Sequence, residues 1–325
     1  MRRGRRIIQA MKLTFLDANT IGRDIDLSAF KRFGKLVVYG STTDDEFLSH
    51  ANDSDVLIVN KLKLGRHNLP DCKSLKLICV TATGFDNIDT EYCRESGIAV
   101  CNVIGYSTQN VAQLTLAMAL SLISHLTEFN RSVSDGSYSR GKSANILTPV
   151  YHEIYGKTWG IVGYGNIGRQ VGRVAEALGC RVIVNKRAPV ADAECVDLET
   201  LCREADIISI HTPLNDESRG LISREMIALM KKDAILINVA RGAVADEAAI
   251  ADAILENRLG GVGIDVYSKE PFPTEHPYTK IAGRDNVILT PHMAWGSYEA
   301  RVRCCDEIVL NIEAFLKGDR RCRVV

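Results

Sequence analysis

The stretch GKTWGIVGYGNIG, residues 156–168, decides the fold class of this chain. It holds an apolar run, Thr158 to Val162, followed at once by a GxGxxG pattern and then by residues with helical periodicity. In such a strand, turn and helix, glycines permit the tight turn and let a pyrophosphate approach the backbone, while the helix N-terminus attracts the anion. The sequence therefore predicts a dinucleotide site. Its residues are Gly163, Gly165, Asn166, Ile167 and Gly168.

A second apolar run, Arg181 to Val184, lies where the next strand of a βαβ unit is expected. NAD-binding units place Asp or Glu at the end of this strand, where the carboxylate accepts hydrogen bonds from the adenosine ribose. Here Asn185, Lys186 and Arg187 follow instead. Two cations at this point can pair with a ribose 2′-phosphate, or they can be ordinary solvated residues. We expect NADP(H) to be the preferred cofactor, with NAD(H) as the alternative.

Composition narrows the class of partner. The 325 residues contain 40 Lys and Arg against 40 Asp and Glu, so no net charge favours nucleic acid or an anionic membrane. No apolar run reaches the roughly 20 residues that a membrane-spanning helix needs. The ten cysteines include no CxxC pair, which predicts neither a metal site nor a disulfide framework and fits a reducing cytoplasm. A small-molecule substrate is the expected partner.

Short apolar runs alternate with polar segments on both sides of a long helix-periodic segment, Tyr106 to Asn130. The pattern is typical of buried parallel strands covered by helices. We therefore predict an α/β protein with two doubly wound parallel-sheet (Rossmann-like) domains and a cleft between them. Residues 11–105 and 296–325 would form a substrate domain, residues 106–295 the dinucleotide-binding domain, and residues 1–10 a disordered basic extension.

Ligands of open α/β sheets bind beyond the carboxyl ends of the strands, so polar residues that follow predicted strands are candidates for chemistry. Arg241 lies in NVARG, Glu270 in GIDVYSKEP and His292 in TPHMAW, each after an apolar run. A guanidinium can bind a carboxylate, an imidazole can exchange a proton near neutral pH, and a carboxylate can orient that imidazole. Taken singly, each residue can also be a surface ion pair, a turn residue or a structural histidine.

These motifs resemble those of the D-isomer-specific 2-hydroxyacid dehydrogenases from about Met11 to the C-terminus. The motifs that carry the resemblance are TATGFDNID (81–89), GYSTQNVAQ (105–113), the glycine stretch (156–168), HTPL (211–214), NVARG (238–242), GIDVYSKEP (263–271) and TPHMAW (290–295). The opening MKLTFLDANTIG, the YSTQ sequence and Trp295 narrow the expected reaction to reduction of hydroxypyruvate to D-glycerate, with glyoxylate as a secondary substrate.

The resemblance implies a role for each matching residue. His292 would protonate the nascent alkoxide, Glu270 would partner the imidazole, and Arg241 would bind the substrate carboxylate and polarise the carbonyl. Backbone N–H groups at Thr83 and Gly84 would complete carboxylate binding. Asp265 would contact the nicotinamide amide, and the cofactor cleft would be lined by Thr212, Pro213, Val239 and Ala240. The resemblance further implies a homodimer formed through the region of the connecting helix.

Two other functions stay open. A phosphoglycerate dehydrogenase is one, since Lys61 or Lys63 can bind a phosphate. The other function is that of a binding protein that catalyses no reaction, because corepressors that sense dinucleotides share the fold and the same Arg, Glu and His set. Formate dehydrogenases place Gln where Glu270 stands, which argues against that reaction.

Overall fold

The structure, a computed structural model, describes residues 11–325. They divide into two compact units, one formed by residues 11–107 and Gly296–Val325 and the other by Thr108–Trp295. The predicted basic extension, residues 1–10, lies outside the described residues.

The first unit is built on a five-stranded parallel sheet with the order β2-β1-β3-β4-β5. Its strands are β1 (Met11–Phe15), β2 (Gly34–Val38), β3 (Val56–Val59), β4 (Leu77–Val80) and β5 (Ala99–Cys101). Its helices are α1 (Asp44–Ala51), α2 (Thr90–Glu95) and the C-terminal α10 (Tyr298–Lys317), with short 3-10 turns at Ala18–Ile21, Ser28–Phe33 and Leu69–Asp71. The central strands β3 and β4 are buried along their whole length, as their unbroken apolar sequences require.

The second unit is built on a seven-stranded sheet with the order β12-β11-β10-β9-β6-β7-β8, in which every pair is parallel. Its strands are β6 (Thr158–Val162), β7 (Arg181–Asn185), β8 (Glu194–Cys195), β9 (Ile207–Ile210), β10 (Ile235–Asn238), β11 (Gly261–Ile264) and β12 (Val287–Leu289). Its helices are α3 (Thr108–Ile123), α4 (Leu126–Ser134), α5 (Ser137–Arg140), α6 (Asn166–Ala177), α7 (Leu198–Glu204), α8 (Arg224–Leu229) and α9 (Glu247–Leu255), with 3-10 turns at Gly242–Val244 and Pro277–Lys280.

Strand order reverses beside β6 in this sheet, because β6 is followed in sequence by β7 on one side while β9 pairs on its other side. Such a reversal is the point at which open α/β sheets bind ligands. The first sheet reverses in the same way beside β1. The predicted pair of doubly wound parallel-sheet domains is therefore confirmed.

The predicted continuous helix from Tyr106 to Asn130 is wrong in one respect, because it is two helices. His125 has φ 49°, a left-handed backbone conformation that ends α3 and starts α4 at an angle of 64°. Periodicity continues across the break, so the sequence carries no sign of it. Among the described residues, no single helix has the length and apolarity of a membrane span, whereas the bent pair α3 and α4 meets that test by length and composition alone.

Both ends of the C-terminal helix α10 have clear local causes. Ser297 caps its N-terminus by accepting a hydrogen bond from Ala300 N–H, and Gly318 ends it with φ 84°. The left-handed C′ position explains why glycine follows the last turn.

Candidate active site

The glycine loop between β6 and α6 has the geometry of a phosphate cradle. Gly163 has φ 93°, and a Cβ there would lie 2.6 Å from the backbone nitrogen of Thr212. A Cβ on Gly168 would lie 2.3 Å from the Gly163 carbonyl oxygen, so this glycine lets the helix pack on the loop. Gly165, the N-cap of α6, has nothing within 4 Å of its Cβ position. The open side at Gly165 and the N-terminus of α6, where Asn166 and Ile167 form the first turn, fit a dinucleotide pyrophosphate.

The loop after β7 presents cations where many dinucleotide sites present an acid. The strand ends at Asn185, whose side-chain amide donates to the carbonyl of Val196 at 3.2 Å. Lys186 and Arg187 follow and are exposed. Arg187 forms an ion pair with Glu217, a residue of the loop that follows β9.

The remaining residues predicted to line the cofactor cleft follow β9 and β10. Thr212 and Pro213 come after β9, and the Thr212 backbone lies against Gly163. Val239 and Ala240 come after β10, where the Asn238 side chain accepts from Ala240 N–H at 3.1 Å. These four residues therefore stand beyond the carboxyl ends of neighbouring strands, on the same edge as the glycine loop.

His211, which directly precedes Thr212, is enclosed near the glycine loop. Its Nε2 lies 3.0 Å from the Ser209 hydroxyl oxygen, which accepts from the Trp159 indole at 2.9 Å. Within residues 11–325 its buried Nδ1 has no hydrogen-bond partner. Burial disfavours the charged ring and lowers the pKa of His211 to about 3. The imidazole is therefore neutral at physiological pH.

Glu270 and His292 are brought into direct contact. Glu270 follows β11, His292 follows the adjacent strand β12, and Glu270 Oε2 lies 2.6 Å from His292 Nδ1. The other carboxylate oxygen of Glu270 accepts from Tyr267 N–H at 3.0 Å. The imidazole and the carboxylate are about a fifth and a quarter exposed, respectively. A short hydrogen bond to a carboxylate fixes the orientation of the imidazole ring.

Arg241 belongs to the loop after β10, the strand next to β11. Its carbonyl oxygen accepts from the Asn238 side chain at 3.0 Å, and its guanidinium donates to the Ala240 carbonyl at 2.8 Å. The next residue, Gly242, lies against the segment that carries Glu270, because a Cβ on it would be 2.0 Å from the carbonyl carbon of Tyr267. The three predicted catalytic residues therefore stand on consecutive strand ends of one sheet.

Asp265 lies at the end of β11 and is completely buried. Its carboxylate accepts from the Thr290 hydroxyl at 2.6 Å and from the Met293 and Ala294 N–H groups at 2.8 and 2.9 Å. Burial raises the pKa of this carboxyl, and these hydrogen bonds oppose the rise. In this structure Asp265 braces the turn that carries His292, whose φ is 53°. Contact with the nicotinamide amide stays a prediction for it.

Sequence reasoning missed a second brace on the same turn. The Tyr267 hydroxyl donates to the Thr290 carbonyl at 2.9 Å and so joins the Glu270 segment to the His292 segment. Burial raises the pKa of Tyr267 to about 12, which keeps the hydroxyl protonated as a donor. The only sign of this role in the sequence is the position of Tyr267 between Asp265 and Glu270. A tyrosine beside an apolar run is equally compatible with a residue that only packs in the core.

Thr83 and Gly84 lie in the other unit, in the loop that follows β4. The Thr83 hydroxyl donates to the Val103 carbonyl at 2.8 Å, and the Thr83 carbonyl accepts from the Asn102 side chain at 2.8 Å. These bonds fix the conformation of the loop. That its backbone N–H groups bind a substrate carboxylate stays a prediction.

Comparison with known proteins adds independent information. Residues 116–294 match the family profile described as the D-isomer specific 2-hydroxyacid dehydrogenase, NAD binding domain. The chain is 33% identical to a hydroxypyruvate reductase of Blautia hydrogenotrophica over 95% of this chain and 98% of the relative. It is 34% identical to a glycerate dehydrogenase of Methylorubrum extorquens, over 94% and 96%. Among solved structures, an acyclic imino acid reductase in complex with NADPH and D-Arg superposes with a TM-score of 0.86 at 28% identity, covering 97% of this chain and all of that one.

Proposed function

The chain belongs to the D-isomer-specific 2-hydroxyacid dehydrogenases, and from that premise we propose that it reduces hydroxypyruvate to D-glycerate, with glyoxylate as a secondary substrate. The family and the oxidoreductase class that the motifs predicted are confirmed. The names of its hydroxypyruvate reductase and glycerate dehydrogenase relatives support the choice of substrate.

The observation that carries the proposal is the 2.6 Å contact between Glu270 and His292. Because Nδ1 faces the carboxylate, Nε2 is the ring atom that gives the proton to the substrate oxygen. Glu270 holds the ring in place and stabilises its positive charge until the proton leaves. Arg241, on the neighbouring strand end, binds the substrate carboxylate and polarises the 2-oxo group. The bound reduced nicotinamide supplies the hydride.

Turnover of defined substrates tests this proposal. Loss of reduced-nicotinamide absorbance is followed with hydroxypyruvate, glyoxylate and phosphohydroxypyruvate. We expect hydroxypyruvate to give the highest kcat/KM. A preference for phosphohydroxypyruvate would replace the proposal by phosphoglycerate oxidation, and tight dinucleotide binding without any turnover would favour a corepressor-like binding protein.

We propose NADP(H) as the preferred cofactor because Lys186 and Arg187 follow β7 and no acid ends that strand. Arg187 forms an ion pair with Glu217, and it would exchange this partner for the 2′-phosphate when the phosphorylated dinucleotide binds. The double variant Lys186→Gln, Arg187→Gln should raise KM for NADPH about tenfold, since a charge-assisted hydrogen bond contributes on the order of 1.5 kcal/mol. KM for NADH should stay nearly constant. Equal changes for both cofactors, or an equal effect of the exposed control Arg203→Gln, would contradict phosphate recognition.

We propose the homodimer that the resemblance implies through the region of the connecting helix, and we propose that α4 and the segment after it, residues 126–155, form the contact. None of the α4 residues is buried, and large apolar side chains of this segment are exposed, with Leu147 at 68%, Val150 at 70% and Tyr155 at 75%. An apolar surface of this kind is typical of a protein interface. Light scattering should give twice the mass of the chain, and Leu147→Glu with Val150→Glu should yield monomers. The control Leu48→Glu, an exposed leucine of α1, should leave the mass unchanged.

A further inference from the structure

The dipeptide Tyr267–Ser268 is the point where the segments carrying the three proposed catalytic residues meet. Tyr267 N–H donates to Glu270 at 3.0 Å, and the Tyr267 hydroxyl reaches the Thr290 carbonyl at 2.9 Å. A Cβ on Gly242 would lie 2.1 Å from the Ser268 nitrogen, so the Arg241 loop also rests on this dipeptide. A shift of Tyr267–Ser268 therefore moves all three segments together.

Glu247 holds this dipeptide from outside the site. It occupies the first turn of α9, where a carboxylate is favoured by the helix N-terminus. Its Oε1 accepts from Ser268 N–H at 2.9 Å, and its Oε2 accepts from the Ser268 hydroxyl. The His276 ring completes the set, with Nε2 at 3.1 Å from Oε2. The Glu247 and His276 side chains are only 11% and 5% exposed.

The hydrogen bonds of His276 define its proton position. Its Nδ1 accepts from Tyr278 N–H at 3.3 Å, so Nε2 carries the proton and donates to Glu247. The ring is packed against Phe272 and Tyr278, with centroid distances of 4.8 and 5.0 Å. A rigidly packed imidazole and a serine thus fix one buried carboxylate through both of its oxygens.

We propose that Glu247 is a positioning residue for catalysis, which acts through Ser268 and Tyr267 to hold Glu270 in contact with His292. The inference rests on the proposed catalytic roles of Glu270 and His292. It gives a residue of helix α9 a role in catalysis, although α9 contains none of the motifs that carry the family resemblance. Displacing reacting groups by about 1 Å costs on the order of 100-fold in rate, so a displacement of Glu270 relative to His292 should give a measurable loss.

The test compares four variants with the wild type. Glu247→Ala should lower kcat about 100-fold. Glu247→Gln keeps an acceptor for Ser268 N–H and should recover a large part of that loss. Ser268→Ala keeps the backbone hydrogen bond and should cost about three- to tenfold. The control Asp252→Asn removes an exposed carboxylate of α9 that pairs with Arg224 at 2.8 Å, and it should leave kcat unchanged.

Cofactor affinity and an isotope effect separate positioning from general damage. The Kd of NADPH, read from tryptophan fluorescence, should stay within about twofold of wild type in every variant, because the glycine loop is untouched. The rate ratio between NADPH and its 4-deuterated form should rise as hydride transfer becomes slower. A folded Glu247→Ala with wild-type kcat would overturn the proposal. If that variant does not fold, an unchanged kcat in Ser268→Ala would overturn it equally.

A failure of the positioning role of Glu247 can be distinguished from a failure of the proposed substrate assignment. Wild-type turnover of hydroxypyruvate, glyoxylate and phosphohydroxypyruvate tests the proposed function, whereas the ratio of the variant's kcat to the wild-type kcat tests Glu247. If none of these is reduced, amide hydrogen exchange still decides. Glu247→Ala should lower the protection of the Met293 and Ala294 amides, which belong to the turn that Tyr267 holds through its bond to the Thr290 carbonyl. Unchanged protection of these amides would refute the positioning role of Glu247.

Discussion

Replacing Glu270 by glutamine changes a single charge at the centre of the proposed mechanism. The amide oxygen of Gln can still accept from Tyr267 N–H, which in the wild type lies 3.0 Å from Oε1. The amide nitrogen then faces His292 Nδ1, where the carboxylate stood at 2.6 Å. Two donors would meet whenever the ring is protonated. The variant therefore keeps the local packing and removes the stabilisation of the imidazolium that must give up its proton.

The size of the effect follows from the type of bond that is lost. A hydrogen bond between charged groups contributes about 1.5–3 kcal/mol, and partial exposure of both side chains places this one near 2 kcal/mol. That energy corresponds to about a 30-fold lower kcat. The Kd of NADPH should remain close to wild type, because the phosphate cradle lies at the N-terminus of α6.

Steady-state kinetics with saturating hydroxypyruvate and a fluorescence titration with NADPH measure the two quantities separately. Glu275→Gln is the matched control, since Glu275 is an exposed acid of the same segment that bonds to Thr274. A kcat within twofold of wild type for Glu270→Gln would refute the role of the Glu270–His292 pair. So would an equal loss in the Glu275→Gln control.

Three further predictions concern the supporting structure. Gly242→Ala should destabilise the fold by about 1–3 kcal/mol in denaturant unfolding and reduce kcat, because a Cβ at this position meets backbone atoms. Gly165→Ala has open space at its Cβ position, so this variant should fold normally and bind NADPH weakly. Tyr267→Phe should lower kcat about three- to tenfold with little change in Tm, since only the hydroxyl bond to Thr290 is lost. His211 stays neutral in the folded chain down to about pH 3 but takes up a proton near pH 6.5 when unfolded. The unfolding free energy should therefore fall with acidification by up to about 1.4 kcal/mol per pH unit between those values, and His211→Gln should remove this part of the slope.

Much of the fold follows from local patterns. Short apolar runs predicted buried parallel strands, and β3 and β4 are apolar and buried along their whole length, because strands buried on both faces leave little room for polar side chains. The glycine spacing predicted the turn before α6, where backbone geometry excludes a Cβ at Gly163 and Gly168. The rule that polar residues after predicted strands are candidates for chemistry identified Arg241, Glu270 and His292. It works because the carboxyl ends of parallel strands lie at one edge of the sheet.

Other features have no local signal. Strand β8 is only Glu194–Cys195, too short and too polar for any period to show. The break at His125 depends on the backbone angle of one residue inside a continuing helical period. Glu247 and Ser268 are 21 positions apart on different elements, so only the folded chain reveals that they bond. The sequence therefore predicts which residues follow the carboxyl ends of the strands, but it does not show the hydrogen bonds that fix their positions.

The most direct test of the catalytic assignment is the rate of NADPH oxidation with hydroxypyruvate in the wild type and in His292→Ala, with NADPH binding measured on the same samples. The proposed mechanism predicts rapid oxidation by the wild type, a loss of several orders of magnitude in the variant, and nearly equal Kd values for NADPH. Oxidation by His292→Ala at a rate close to wild type would contradict the assignment of His292 as the proton donor.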